Sequence, residues 1–291
     1  MRSIELNDWD LRVVLAPEIG GSVARFDLIV NERPVPIFRP MPGTSHEVLQ
    51  SACFPVVPYA NRIRDGKFLF RGREIVLPPN MGGQRFPLHG DGWLTPWRII
   101  NATRREVELL YEHKSGDWPW DYEARQTFAL NEDSLGIVLE CRNRSAEDMP
   151  CGLALHPFFP STPRTTLDTD VERVWSTDPD VLPLRAEVPV GRYDLKRRTI
   201  GGQDLDNGYD GWSGRAKIES PESGIRLIMI SEAPRLQIYS PKGENFFAAE
   251  PVTNANAALN APEDQWPSLG LRVLKSGEAM ALTARFELLP G

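Results

Sequence analysis

The stretch Glu123-Ala124-Arg125-Gln126-Thr127-Phe128-Ala129-Leu130 decides the fold class. Ala124, Gln126, Phe128 and Leu130 fall on one side, and Glu123, Arg125 and Thr127 on the other. A period of two is that of a strand lying half-buried on a core. The same signature recurs outward in both directions. Residues 107–111 precede it and residues 135–142 follow. Lys67-Phe68-Leu69-Phe70 turns at Arg71-Gly72-Arg73 and returns as Glu74-Ile75-Val76-Leu77, a hairpin with glycine in its loop. Toward the N-terminus, residues 11–15 and 23–30 flank a turn at 17–21. Toward the C-terminus come residues 152–155, 171–176, 216–219, 225–230, 236–240 and 279–289. Helical periodicity is nearly absent. Many short strands at this spacing predict an all-β chain, an antiparallel sandwich or barrel. The 26 prolines and 23 glycines call for extensive loops. Residues 185–207, mixed in charge and glycine, read as a long surface loop. No repeat, low-complexity tract or linker divides the chain, so residues 1–291 read as a single domain.

Bulk composition excludes several function classes. At 291 residues, 41% hydrophobic and 25% charged, the chain is ordinary for a globular protein. A formal net charge of −7 argues against a nucleic-acid partner and against an anionic membrane surface. The first residues lack the apolar core of a signal peptide, and no stretch approaches a membrane span. Cys53, Cys141 and Cys151 cannot all pair with one another and form no Cys-x-x-Cys unit. They read as buried thiols in a reducing cytoplasm.

Polar chemistry gathers at five places. Phe246-Phe247-Ala248-Ala249-Glu250-Pro251 reads as a doubly buried strand that ends in a carboxylate and a proline. Burial there raises the pKa of Glu250 and makes it a base near neutral pH; the alternative is a surface glutamate at a strand end. In Pro58-Tyr59-Ala60-Asn61-Arg62-Ile63-Arg64-Asp65-Gly66, Asn61 and Arg62 suit sugar hydroxyls or a carboxylate, or form a solvated turn. Phe86-Pro87-Leu88-His89-Gly90-Asp91-Gly92-Trp93 offers His89 as a positioned donor or a satisfied turn residue. Trp93 reads as a sugar-stacking platform or as core, Trp97 as core. Leu153-Ala154-Leu155-His156-Pro157-Phe158-Phe159-Pro160 places His156 at the end of a buried strand, with Pro157 fixing the exit and both phenylalanines shielding the ring. His156 is then a hydrogen-bonded core residue or a proton carrier. Asp204-Leu205-Asp206-Asn207-Gly208-Tyr209-Asp210 lacks EF-hand spacing and reads as an Asx turn. His46 and His113 sit in polar loops. No two His or Cys residues stand at zinc spacing, and there is no phosphate loop or nucleophile elbow.

In this order, Ala60-Asn61-Arg62-Ile63 with Gly66, Leu88-His89-Gly90, His156-Pro157-Phe158-Phe159, Leu205-Asp206-Asn207, Leu236-Gln237-Ile238-Tyr239 and Glu250-Pro251-Val252-Thr253 resemble the aldose 1-epimerase (galactose mutarotase) family. The likeness runs from about Gly20 to the C-terminus and is nearest to a shorter, bacterial-type subgroup. It implies a large antiparallel β-sandwich of the galactose mutarotase type, a free monosaccharide as substrate, and no metal or cofactor. It implies Glu250 as general base on the anomeric hydroxyl and His156 as general acid on the ring oxygen. It implies His89, Asn61, Arg62, Asp206 and Gln237 as the sugar-binding set. The tail Asn254-Ala255-Asn256-Ala257-Ala258-Leu259-Asn260 follows the family's wording only loosely.

Residue chemistry agrees with the resemblance. Anomer exchange removes one proton and delivers another, so an acid and a base must flank one ring. An ionised Glu250 near His156 is expected to favour the charged imidazole, the two titrating as a pair. Two other readings are a non-catalytic sugar-binding or sensing protein on the same fold, and a hexose-6-phosphate 1-epimerase. The second needs basic residues at the rim, where Arg62 and Arg64 are the candidates. The protein is expected to be a cytoplasmic monomer or homodimer.

Overall fold

The computed structural model describes residues 3–290. The period-two runs become two large antiparallel sheets. The first has eleven strands. From edge to edge run Ile4–Asp8, Leu11–Ala16, Ser22–Val30, Cys53–Val56, Ala154–Pro160, Phe246–Val252, Arg235–Ser240, Leu205–Asp210, Arg173–Thr177 and Pro183–Glu187, with Arg33–Pro36 also paired to Ser22–Val30. The second has nine: Arg198–Thr199, Thr166–Thr169, Arg215–Ser220, Ile225–Ser231, Ala279–Leu288, Ser134–Asn143, Tyr122–Asn131, Glu106–His113 and Arg98–Ala102. Among the described residues no helix is long and apolar enough to cross a membrane.

The core lies between the sheets because alternate residues of each strand point the same way. Phe38 is fully buried and meets three rings edge-on: Phe26 at 5.2 Å and Phe159 at 5.3 Å from the first sheet, and Phe286 at 4.8 Å from the second. Phe38→Leu removes these edge contacts and leaves part of the ring's volume empty. It is expected to lower stability by about 1–3 kcal/mol, read as an earlier midpoint in urea. Gln126, on the inward side of the opening stretch, is buried, and its Nε2 donates to Gly21 O across the layers at 2.9 Å.

The other face of the first sheet is where the polar side chains collect. Leu155, Phe159, Phe247, Ala249, Leu236, Ile238, Leu205 and Tyr209 turn into the large core. Their neighbours Phe54, Phe158 and Ala248 form a separate cluster on the opposite face. By the same alternation, His156, Glu250, Gln237 and Asp206 share that opposite face.

Five local expectations need correction. The strand through His156 does not stop there but continues to Pro160, and the strand through Glu250 continues to Val252. Pro157 and Pro251 fit inside because the ladder between these strands pairs Ala154 with Val252 and Phe158 with Ala248, leaving the stretch between without paired backbone groups. Asp204–Asp210 is not a turn: Leu205–Asp210 is a strand, with Leu205, Asn207 and Tyr209 buried. Residues 185–207 are not one loop, since the edge strand Pro183–Glu187 and the short strand Arg198–Thr199 fall within or across them. The hairpin turns on two residues, Arg71 (φ 51°) and Gly72 (φ 78°), so Arg73 already belongs to the return strand. Both are left-handed, as a type I′ turn demands.

Candidate functional site

Glu250, His156, Gln237, Asp206, Asn61, Arg62 and His89 all line one cavity of about 200 Å³ on that second face. Strand register accounts for four of them. Gln237 pairs directly with Glu250 across neighbouring strands, and Gly208 with Gln237. Ala154 and Val252, then Phe158 and Ala248, bracket His156 and Glu250, which therefore stand opposite one another. His156 Nε2 lies 3.2 Å from Glu250 Oε1, with both side chains almost wholly buried. Glu250 is thus not at a strand end on the surface.

The other three come from loops. Asn61 (φ 68°) and His89 (φ 61°) both hold left-handed backbone and are hydrogen-bonded to each other. The His89 N–H donates to Asn61 O at 3.0 Å. The Asn61 N–H donates to His89 Nδ1 at 3.2 Å. With Nδ1 accepting, the ring proton of neutral His89 sits on Nε2 and is free to donate. A polar chain completes the rim. Arg62 Nη1 donates to Asn61 Oδ1 at 3.1 Å, and Asn61 Nδ2 donates to Gln237 Oε1 at 3.4 Å. Gln237 Nε2 then donates to Asp206 Oδ1 at 2.6 Å. Arg62 Nη2 closes the circuit, 3.8 Å from Asp206 Oδ2. Asp206, rather than Asp204 or Asp210, faces the cavity; Asp210 pairs instead with Arg235 at 2.6 Å and accepts from Trp175.

The aldose 1-epimerase family model matches residues 2–287. The chain belongs to the aldose 1-epimerase family. The uncharacterized Escherichia coli K12 protein YphB is 33% identical over 240 residues, covering 78% of this chain and 81% of its own. The Escherichia coli K12 aldose 1-epimerase is 24% identical over 247 residues, 73% of this chain and 67% of its own. Among solved structures, an Escherichia coli K12 protein superposes with a TM-score of 0.90 at 29% identity over 99% of both chains. A galactose mutarotase-like protein from Clostridium acetobutylicum reaches 0.86 at 18% identity over 99% of this chain and 95% of its own, a likeness of fold.

In this aldose 1-epimerase family member, burial dominates the electrostatics. It raises Glu250 well above the usual carboxylate range; Asp206 adds to the rise and Arg62 opposes it. Burial pushes His156 down to about 3, its own carbonyl opposing this and Arg39 adding to it. The expected stabilisation of a charged imidazole by Glu250 is therefore outweighed by the loss of water around both groups. His89 is held far below the ordinary histidine value by burial, then by His156 and Arg62. Asp206 is raised by burial, against the pull of Arg62 and Gln237.

Reading residues in sequence missed several walls. Phe54 stacks on the His156 ring at 4.4 Å, and Phe158 meets the same ring tilted at 4.5 Å. Phe159, expected to shield this ring, points into the core instead. Leu49, Met81, Gln84, Leu88 and Tyr239 complete the cavity. Trp93 is 1% exposed and stacked on Phe54 at 5.3 Å, so it backs the wall and offers no platform to a sugar. Phe54 was legible only as part of an apolar run, since nothing in sequence pairs it with His156. His113 is no loop residue: it ends Glu106–His113, and its Nδ1 lies 2.5 Å from Asp91 Oδ2. Among the described residues no group of three His, Cys, Asp or Glu stands ready to hold a metal ion.

Proposed function

We propose that the chain is an aldose 1-epimerase, one domain that interconverts the α and β anomers of a free monosaccharide. The observation that carries this reading is the 3.2 Å contact between His156 and Glu250 inside a cavity rimmed by hydroxyl-binding groups. The Glu250 carboxylate takes the proton of the anomeric hydroxyl. The C1–O1 bond becomes a carbonyl, the C1–O5 bond breaks, and O5 takes a proton from His156 Nε2. Rotation about C1–C2 and reversal of these steps give the other anomer. Asn61, Arg62, His89, Asp206 and Gln237 hold the hydroxyls and orient the ring.

One transferable proton serves both groups. On Nε2, with the carboxylate bare, the pair is set to open the ring. On the carboxyl, with the imidazole neutral, it is in the state that ring opening leaves behind. Burial favours the neutral arrangement in the free site. A bound sugar shifts the balance, because its anomeric O–H donates to a carboxylate and its ring oxygen accepts from an imidazolium. Arg62 acts in the same direction on Glu250.

The rim speaks against a phosphorylated hexose. Among the described lining residues Arg62 is the one Arg or Lys, and Asp206 already faces it at 3.8 Å. NMR exchange spectroscopy over a panel of aldoses tests the assignment. Accelerated α–β exchange of at least one free sugar is expected. Sugar binding with no acceleration for any of them overturns it in favour of a sensor.

The pH profile is a second check. With His156 depressed to about 3, no second proton enters the pair on mild acidification. The kcat/KM is expected to stay level from pH 7 to pH 5, and to fall on the alkaline side as the shared proton leaves. An acid limb near the ordinary histidine value of 6.5 would contradict the buried pair.

A further inference from the structure

The segment that carries Asn61 and Arg62 has no regular strand partner, yet its backbone is satisfied on one side by three asparagines. Asn254 Oδ1 accepts from the Ala60 N–H at 3.3 Å, and its Nδ2 donates back to Ala60 O at 3.1 Å. Asn256 Oδ1 accepts from the Arg62 N–H at 3.1 Å. Asn260 Oδ1 accepts from the Arg64 N–H at 2.7 Å, and its Nδ2 donates to Arg64 O at 3.1 Å. The Ala257 N–H donates to Arg62 O at 3.2 Å. Residues 60, 62 and 64 are thus bound on one edge, while Asn61 and Ile63 bond to His89 and Pro87 on the other.

The left-handed Asn61 explains the device. A residue at φ 68° breaks the regular repeat of backbone groups, so a neighbouring strand cannot follow it. Flexible amide side chains, each with a donor and an acceptor, can. The clamp also starts four residues after Glu250. The Thr253 N–H donates to Leu153 O, and Thr253 Oγ1 accepts from the Leu153 N–H at 2.9 Å, fixing the same tail to the strand of His156. Asn256 Nδ2 donates to Val181 O at 2.6 Å and ties in the Asp178–Leu182 turn.

We propose that Asn254, Asn256 and Asn260 are positioning residues that set the hydroxyl-gripping pair Asn61–Arg62 at a fixed distance from the acid and base, Asn256 acting through Arg62. This rests on the sugar-binding reading of the cavity. The loosely worded tail of the sequence is then part of the site's frame, though it touches no substrate.

A double-mutant cycle tests it, with Asn256→Ala, Arg62→Ala and the pair, each read for KM, kcat and pH profile. Asn256→Ala is expected to raise KM by about 5- to 30-fold with kcat and the pH profile little changed, as for lost uniform binding. Adding it to Arg62→Ala is expected to raise KM no further. Additive effects, or an unchanged KM for Asn256→Ala, overturn the proposal. Should Asn256→Ala fail to fold, Asn260→Ala at the outer end takes its place in the cycle, with the same two outcomes. If the wild type exchanges no aldose, the epimerase reading falls by itself, and the cycle is read in sugar Kd by calorimetry with the same criterion.

Discussion

Glu250→Gln is expected to slow anomer exchange by about 10²- to 10⁴-fold while making the protein more stable above neutral pH. The amide keeps the shape of the carboxyl beside His156 but cannot take a proton from the anomeric hydroxyl. The stability gain follows from linkage. The folded-state pKa of Glu250 is raised, chiefly by burial, then by Asp206. Below the unfolded value of about 4.3 the group is protonated in both states and carries no penalty. As pH rises through the folded value, the wild type must either keep the proton against solution or bury a charge, and stability is lost. Glutamine has nothing to lose. Urea unfolding should therefore show near-equal stability for wild type and variant at pH 4, and a gain of about 0.5–2 kcal/mol for the variant at pH 8. A variant with full exchange activity ends the assignment of Glu250 as base. A variant less stable than wild type at pH 8 ends the claim that burial holds this carboxyl high.

How much of this was legible depends on whether a strand has one wet face or a functional one. Glu123 to Leu130 alternates cleanly because Arg125 and Thr127 on its outer face reach water, with Glu123 covered by its ion pairs to Arg125 and Arg144, and it folds as read. Leu205–Asp210 alternates too, with Leu205, Asn207 and Tyr209 inward, but the outward Asp206, Gly208 and Asp210 made the composition look like a turn. The cause is the site itself. Strands that floor a polar cavity carry carboxylates and glycine where an ordinary strand carries threonine or lysine. The prolines after His156 and Glu250 misled for a related reason. They signalled strand ends, whereas they occupy the stretch where the two strands bear no ladder bonds between Ala154–Val252 and Phe158–Ala248. The asparagine clamp has no periodic signal at all. Side-chain amides take the place of a strand, so only distances reveal it.

Replacing His156 by asparagine, alone and together with Glu250→Gln, gives the result on which the enzyme reading turns. Asparagine fits against Phe54 and Phe158 but carries no transferable proton, so O5 must leave as an alkoxide or wait for water. The single variant is expected to lose about 10²- to 10⁴-fold in kcat/KM, like Glu250→Gln. The double variant is expected to lose little more than either alone. Removing the base leaves the acid with nothing to complete, and removing the acid leaves the base likewise, because each ring opening needs one proton taken at the anomeric hydroxyl and another delivered to the ring oxygen. If the two residues instead made independent contacts with a sugar that is merely held, their losses would add, and they would appear in Kd rather than in the rate of exchange. Calorimetric Kd values within a few fold of wild type for all three variants, alongside a non-additive collapse in exchange, identify the pair as catalytic machinery. Additive losses confined to Kd identify a binding protein built on an epimerase fold.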